Sequence, residues 1–459
     1  MRISDLDGKR VALWGWGREA RAAHAALRSR LPALRLTAIC SEAEGADVRA
    51  LGDPLLQTTT AADAEALSAF DVVVKSPGIS PYRDEVAAAH ARGTVFTSGT
   101  ALWFAERPDA KVIAITGTKG KSTTSAMTAH IARALGVRTA LAGNIGLPLL
   151  ELLDADADLW VVELSSFQTA EPGSCAVGVV TNLFEEHLDW HGTRERYASD
   201  KLRLADAART LVVNGDQPEL LARTAAHPHR LCFGGDDGWH LHGESLCRGA
   251  DVLDAGLRAL THLPGRHNAL DACAALAALD ALFAFDASTA RAAVRALASY
   301  RPLPHRLHLL GSHDGWHWID DSISTTPEAT LAALRSQHGR AVTAILGGFE
   351  RGIDWTDFAA FALRWPSLRI VTQGGNGARI AAVLHEAGFP PSMLHEVATL
   401  AEAVAVARRI TPIAGVILLS PGAPSFDQFK DYAARGCEFA RLAGFDPALI
   451  ASIQGMGIA

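Results

Sequence analysis

The sequence predicts an α/β protein of three doubly wound domains, and three observations carry that expectation. Short apolar runs such as Val72-Val73-Val74 alternate with alanine-rich helical stretches such as Ala272-Cys273-Ala274-Ala275-Leu276. Glycine-bearing turns follow several of the runs, at the strand ends where open α/β sheets hold ligands. At 459 residues, the chain also exceeds a single core at roughly 100–200 residues per domain.

The first domain is expected over 1–98. Arg10-Val11-Ala12-Leu13-Trp14 reads as a strand, Gly15-Trp16-Gly17 as a turn and Arg18-Glu19-Ala20-Arg21-Ala22-Ala23 as the start of a helix. Gly15 and Gly17 let backbone amides approach a diphosphate. Alone this signal is weak, because the third small residue of the dinucleotide fingerprint is poorly defined. A second turn, Lys75-Ser76-Pro77-Gly78-Ile79, follows Asp71-Val72-Val73-Val74; it is either a ligand loop or a simple strand-ending turn.

The central domain is expected over 99–306. Lys111-Val112-Ile113-Ala114-Ile115 reads as a buried parallel strand, and Ser125-Ala126-Met127-Thr128-Ala129-His130-Ile131-Ala132 as a helix. Between them lies Gly117-Thr118-Lys119-Gly120-Lys121-Ser122-Thr123. Loop amides and the helix N-terminus face an anion, Lys121 supplies a point charge for terminal phosphates, and the Ser122 hydroxyl suits Mg²⁺. The general Walker pattern is not fully met, since Ile115 stands where its first glycine belongs. An ordinary glycine turn with a solvated lysine is the alternative; the order strand, loop, helix weighs against it.

Further along, Glu163 ends the strand Leu159-Trp160-Val161-Val162, placing a carboxylate for Mg²⁺ near the same sheet edge. Asn182-Leu183-Phe184-Glu185-Glu186-His187-Leu188-Asp189 follows another strand and offers a second metal region. A lone His or Glu is more often structural, so the order of these residues after the loop carries the assignment. The Pro-rich Arg301-Pro302-Leu303-Pro304-His305-Arg306 marks a hinge. The third domain, expected over 307–459, repeats the pattern with Trp318-Ile319-Asp320-Asp321, Ala341-Val342-Thr343-Ala344-Ile345-Leu346-Gly347-Gly348, Leu368-Arg369-Ile370-Val371-Thr372 and Gly415-Val416-Ile417-Leu418-Leu419-Ser420.

Bulk properties narrow the function classes. A formal charge of −7 gives no support for nucleic-acid binding by bulk electrostatics. Six cysteines without close pairing indicate neither a disulfide framework nor a zinc site. No secretion signal or bilayer-length apolar run is seen, so a cytoplasmic protein without stable membrane association is expected.

The loop Gly117-Thr118-Lys119-Gly120-Lys121-Ser122-Thr123, followed in order by Glu163, His187 and Lys201, resembles the Mur ligase family. These ATP-dependent enzymes join amino acids to a carboxylate, and the resemblance covers nearly the whole chain. It implies a UDP-binding Rossmann-like first domain, a central P-loop ATPase and a Rossmann-like C-terminal domain. It further implies that Gly15, Gly17, Arg18, Ser76, Pro77, Gly78 and Asn144 line the UDP site. Residues 117–123 with Asn268, Arg306 and Asp321 would bind ATP, the last two as the third domain closes. Ser122, Glu163, His187 and a carbamylated Lys201 would hold Mg²⁺. Lys119, Lys121, His187 and Lys201 would be catalytic, the substrate carboxylate attacking the ATP γ-phosphate before an amino-acid amine displaces phosphate.

Within the family, the C-terminal segment Ser420-Pro421-Gly422-Ala423-Pro424-Ser425-Phe426 resembles that of glutamate-adding members. The resemblance implies UDP-N-acetylmuramoyl-L-alanine and glutamate as partners, with Thr325, Arg351, Ser425, Phe426 and Tyr432 around the amino acid. D-glutamate-adding members usually carry Asp-Ser-Lys-Ala-Thr-Asn where this chain has Asp321-Ser322-Ile323-Ser324-Thr325-Thr326, and a lysine where it has Arg351. Together with Glu350-Arg351-Gly352-Ile353-Asp354-Trp355, these departures look like the L-glutamate-adding variant, in whose pathway a separate epimerase acts on the product. The alternatives are a D-glutamate-adding member, a member adding another amino acid or polyglutamate, and a nonenzymatic nucleotide-regulated binding protein. Retained Glu163, His187 and Lys201 argue against the last, and an oxidoreductase built on Gly15 and Gly17 leaves the phosphate loop unexplained.

Overall fold

β-Branched and aliphatic residues dominate Val11–Trp14 and Val72–Lys75, and every residue of both strands is buried, as the centre of a parallel sheet requires. In the computed structural model these two pair in parallel at the middle of a five-stranded sheet. Its order is Leu56–Thr59, Leu36–Ile39, Val11–Trp14, Val72–Lys75, Val95–Thr97. The chain reverses direction of winding between Val11–Trp14 and Val72–Lys75, so both predicted ligand turns leave the sheet at its switch point. The structure describes residues 1–169, 173–184, 188–235, 238–260, 265–301, 303–337, 339–450 and 456–458.

A second, ten-stranded sheet holds the phosphate-loop strand Val112–Thr116 between Cys175–Val180 and Leu159–Glu163, all in parallel. Helix Lys121–Ala134 covers one face and buries Met127 and Ile131 completely, each such burial stabilising by about 1.5–3 kcal/mol. Both sheets share one hydrophobic cluster, in which Trp103 and Trp160 stand 4.7 Å apart. Antiparallel strands Ser245–Arg248 and Asp251–Ala255 extend the second sheet beyond the predicted parallel core. They escaped the sequence reading because they are short and only partly buried, so the apolar run that marks a buried strand is absent.

The third sheet has the order His308–His313, Trp316–Asp320, Val416–Leu419, Val342–Leu346, Leu368–Thr372, Leu394–Glu396. All its pairs are parallel except the edge hairpin formed by the first two strands. Its two faces are filled by separate clusters, one around Trp355 and Phe358 and the other around Trp318 and Phe439. By density of contacts the chain forms two units, Met1–Tyr300 with Gly455–Ala459, and Arg301–Gln454. Among the described residues no helix is long and apolar enough to cross a membrane, and all six cysteines are free.

Candidate active site

In the first sheet, Gly15 has φ +86°, and a Cβ there would stand 2.8 Å from Ser76 Oγ. The predicted turns therefore approach so closely that one must lack a side chain. Ser76 Oγ is itself buried without a partner. Gly17 precedes helix Arg18–Arg30 as its N-cap, while Pro77 is half-buried and Gly78 exposed beside it. Arg18 donates to Gly146 O at 2.6 Å, which ties this turn to the Gly143–Gly146 turn of the second sheet. Asn144 donates to Glu163 Oε1 at 2.7 Å.

The phosphate loop is held from below by its own strand order. Thr118 N donates to Asn182 O and Lys119 N to Asn182 Oδ1, at 3.0 and 2.7 Å. Thr181 Oγ1 and Asn182 Nδ2 donate back to Lys119 O. Gly117 (φ +145°) and Gly120 (φ +83°) have no room for a Cβ: it would overlap Thr181 Oγ1 at one and the Asp271 carboxylate at the other. Lys121 Nζ donates to Gly117 O and Thr118 O, both at 2.9 Å, so its charge sits against the loop. Ser122 and Thr123 follow in the first turn of the helix.

Glu163 is 1% exposed, and its Oε2 has no hydrogen-bond partner. A buried carboxylate oxygen without a donor is an unmet acceptor, the condition that a hard cation relieves. Lys201, equally buried, donates to Gly117 O at 2.9 Å and lies 4.9 Å from the Tyr197 ring centroid. The structure thus brings Lys119, Lys121, Ser122 and Lys201 to the loop and Glu163 to the end of the adjacent strand. His187 lies outside the described residues. Among the described residues no three His, Cys, Asp or Glu side chains cluster as a metal site; Mg²⁺ ordinarily takes one or two carboxylates and completes its shell with water and substrate phosphate.

A chain of polar groups, buried at Asp200, His191 and Ser166 and exposed at Tyr82, stands beside Lys201 and was missed by sequence reasoning. Tyr82 O–H donates to Asp200 Oδ1 at 2.5 Å, His191 Nδ1 is 2.8 Å from Asp200 Oδ2, and His191 Nε2 is 3.0 Å from Ser166 Oγ. Ser80 Oγ also donates to Trp190 O. Asp200 directly precedes Lys201 and was the one visible signal; Tyr82 is 118 positions away. On the far side of the loop, Asn268 and Asp271 are buried in the first turns of helix Arg266–Phe283, beneath Gly120.

In the other unit, Arg306 lies between His305 (φ +61°) and Leu307 (φ +44°), two non-glycine residues in the left-handed region. His305 Nδ1 is 2.6 Å from Asp320 Oδ2, and Leu307 N donates to Asp321 Oδ1 at 3.0 Å. Asp321 also accepts from Ser324 and Ser420, yet burial pushes its carboxyl up to about 6. Arg435, 1% exposed, donates to Ser322 Oγ, Ser322 O, Ala423 O and Pro424 O. It thereby fastens the Asp321–Ser322 turn to the Ala423–Pro424 turn. Phe349 N donates to Pro424 O, and Ser322 Oγ to Tyr432 O. Thr325 is half-buried, Arg351 and Phe426 exposed, and Ser425 Oγ buried without a partner.

Residues 115–279 match the family described as the Mur ligase middle domain. The chain is 50% identical to a UDP-N-acetylmuramoyl-L-alanine–L-glutamate ligase of Xanthomonas campestris pv. campestris (strain 8004), the match covering 100% of both proteins. It is 49% identical, again over 100% of both, to a protein of the same name from Xylella fastidiosa (strain Temecula1). Its fold is similar to the crystal structure of the UDP-N-acetylmuramate-alanine ligase MurC of Thermotoga maritima, with a TM-score of 0.60, 19% identity, and coverage of 94% of this chain and 98% of that one. A phosphate loop closed by two side-chain-free glycines, a buried carboxylate at the next strand end and full-length identity of this order have one common explanation: the chain belongs to the Mur ligase family.

Proposed function

We propose that the protein adds L-glutamate to UDP-N-acetylmuramoyl-L-alanine, with ATP as cosubstrate and Mg²⁺ as cofactor, in cytoplasmic synthesis of a peptidoglycan precursor. The observation that carries the reading is the full-length identity to relatives named for this reaction; the phosphate loop with buried Glu163 supports it independently. In this reading 1–98 takes the UDP moiety, 99–306 binds ATP and 307–459 binds the amino acid. Gly15, Gly17, Arg18, Ser76, Pro77, Gly78 and Asn144 receive the UDP-substrate, and Asn268, Arg306 and Asp321 join the loop in holding ATP.

The substrate carboxylate oxygen attacks the γ-phosphorus, the bond to ADP breaks, and an acyl phosphate forms. The glutamate amine then bonds to the acyl carbon; phosphate leaves with that oxygen, and the amine loses a proton. Lys121 and Lys119 offset the charge that develops on the transferring group. Ser122 and Glu163, with His187 and a carbamylated Lys201, are the residues that would hold Mg²⁺, which as a Lewis acid supplies charge neutralisation on phosphate oxygens. The unmet Glu163 Oε2 supports that assignment. Thr325, Arg351, Ser425, Phe426 and Tyr432 orient glutamate, and a separate epimerase inverts the terminal residue of the product.

Phosphate release in the presence of ATP, Mg²⁺ and UDP-N-acetylmuramoyl-L-alanine, compared with L-glutamate, D-glutamate and no amino acid, tests the reading. Release is expected with L-glutamate. Faster release with D-glutamate rejects the stereochemistry, and none with either rejects the substrate class.

A further inference from the structure

The loop between Val342–Leu346 and helix Thr356–Ala362 places an acid next to the cation expected to meet an acidic amino acid. Glu350 and Arg351 are adjacent and both exposed. An unheld Glu350 would compete for the Arg351 guanidinium and repel an incoming dicarboxylate. The structure disposes of that carboxylate elsewhere. Arg379, from helix Gly377–Glu386, grips it in two-point geometry, Nε to Oε2 at 2.7 Å and Nη2 to Oε1 at 2.8 Å. Its remaining arm donates to Ile353 O at 2.9 Å. Gly352 N donates to Glu350 Oε1 at 2.5 Å, so the carboxylate also closes its own turn.

The same loop is anchored on its other side. Gly348 N donates to Asn376 Oδ1 at 2.8 Å, Gln373 Nε2 to Gly347 O at 2.5 Å, and Phe349 N to Pro424 O at 2.8 Å. Arg351 therefore stands between two fixed points, and among the described residues no ion pair or hydrogen bond takes its side chain. Phe349 and Phe426 meet edge to face at 6.4 Å just before it, both exposed, and neighbouring Ser425 Oγ is buried and unpartnered. An unmet hydroxyl, an uncovered aromatic pair and an unclaimed guanidinium thus lie on adjoining turns, and these are the group types that suit a small acid with an apolar stem.

We propose that Glu350 and Arg379 form a charge-sorting pair that keeps Arg351 unclaimed for the side-chain carboxylate of the amino-acid substrate. The inference rests on the glutamate reading above. Glu350 and Arg379 are positioning residues, acting through Arg351. Side chains this exposed, 41% for Glu350 and 37% for Arg379, add little to global stability, so their loss acts locally.

The test uses the full-length protein and steady-state phosphate release, with KM followed for whichever glutamate enantiomer the wild type accepts. Arg379→Ala releases Glu350 and should raise that KM about tenfold while kcat stays within about twofold. Arg379→Lys, which keeps the charge but not the fork, should fall between. Adding Glu350→Gln to Arg379→Ala removes the competing acid and should recover most of the lost affinity. An unchanged KM in Arg379→Ala overturns the proposal. So does a double variant no better than the single one, since a loop staple of purely structural kind cannot be rescued by removing its second half. Wild-type turnover with neither enantiomer would overturn the glutamate reading, and this inference with it.

Discussion

Lys121 and Lys201 both direct their Nζ to the carbonyl of Gly117, so two amines converge on one backbone oxygen. Lys121→Ala removes the amine nearest the loop's anion site, and kcat/KM for ATP is expected to fall about 10²–10³-fold in the phosphate-release assay; a loss under about threefold would take Lys121 out of the chemistry. Asp321 offers a pH signature. Its carboxyl is raised by desolvation from 3.8 to about 6, so the folded state holds its proton over a range in which the unfolded chain has lost it. Stability from this group is present below the unfolded value and is lost as pH rises through the folded one. Relative to wild type, Asp321→Asn should gain up to about 3 kcal/mol between pH 4 and 7, measured by denaturant unfolding followed through tryptophan fluorescence. Lys121, Ser122 and Glu163 were legible in the sequence because each sits at the end of a strand or loop whose type is written locally. Arg435 was not: its acceptors at Ser322 and Pro424 come from two other turns.

Strand, loop and helix act together around Gly117 and Gly120, whose missing Cβ atoms make room for Thr181 and Asp271. Gly120→Ala places a side chain at φ +83°, a conformation costing about 1–2 kcal/mol, and also strikes the Asp271 carboxylate. ATP affinity, measured by calorimetry, should drop even where circular dichroism shows the fold intact. The Tyr82–Asp200–His191–Ser166 chain joins the loop after Ser76–Gly78 to helix Arg194–Ala207, which carries Lys201. Tyr82→Phe deletes one hydroxyl from a side chain that is 40% exposed and leaves an oxygen of buried Asp200 short of a donor. KM for the UDP-substrate should rise about three- to tenfold with a smaller change in kcat; an equal fall in kcat alone would place the chain's effect elsewhere. The helical and strand segments flanking these sites were readable from apolar periodicity. The antiparallel strands after Trp239 were not, since half-exposed residues there leave no continuous run.

For the molecule as a whole, the metal requirement is the broadest test. Excess EDTA should abolish phosphate release and added Mg²⁺ restore it, and Glu163→Gln should raise the Mg²⁺ concentration needed for half-maximal rate about tenfold or more; metal-independent release would remove Mg²⁺ from the reading. What the sequence by itself determined was the α/β class, most strand positions, the phosphate loop and the family resemblance, because each is encoded in residues close together along the chain. Only the tertiary structure decided that Gly15 meets Ser76, that Glu163 keeps an oxygen unmet, that Asp200 is shared by Tyr82 and His191, and that Arg379 holds Glu350 away from Arg351. Those pairings depend on which strand ends and turns become neighbours in space. Their partners lie between 9 and 118 positions apart, and a hydrogen-bond partner that distant leaves no local pattern to read.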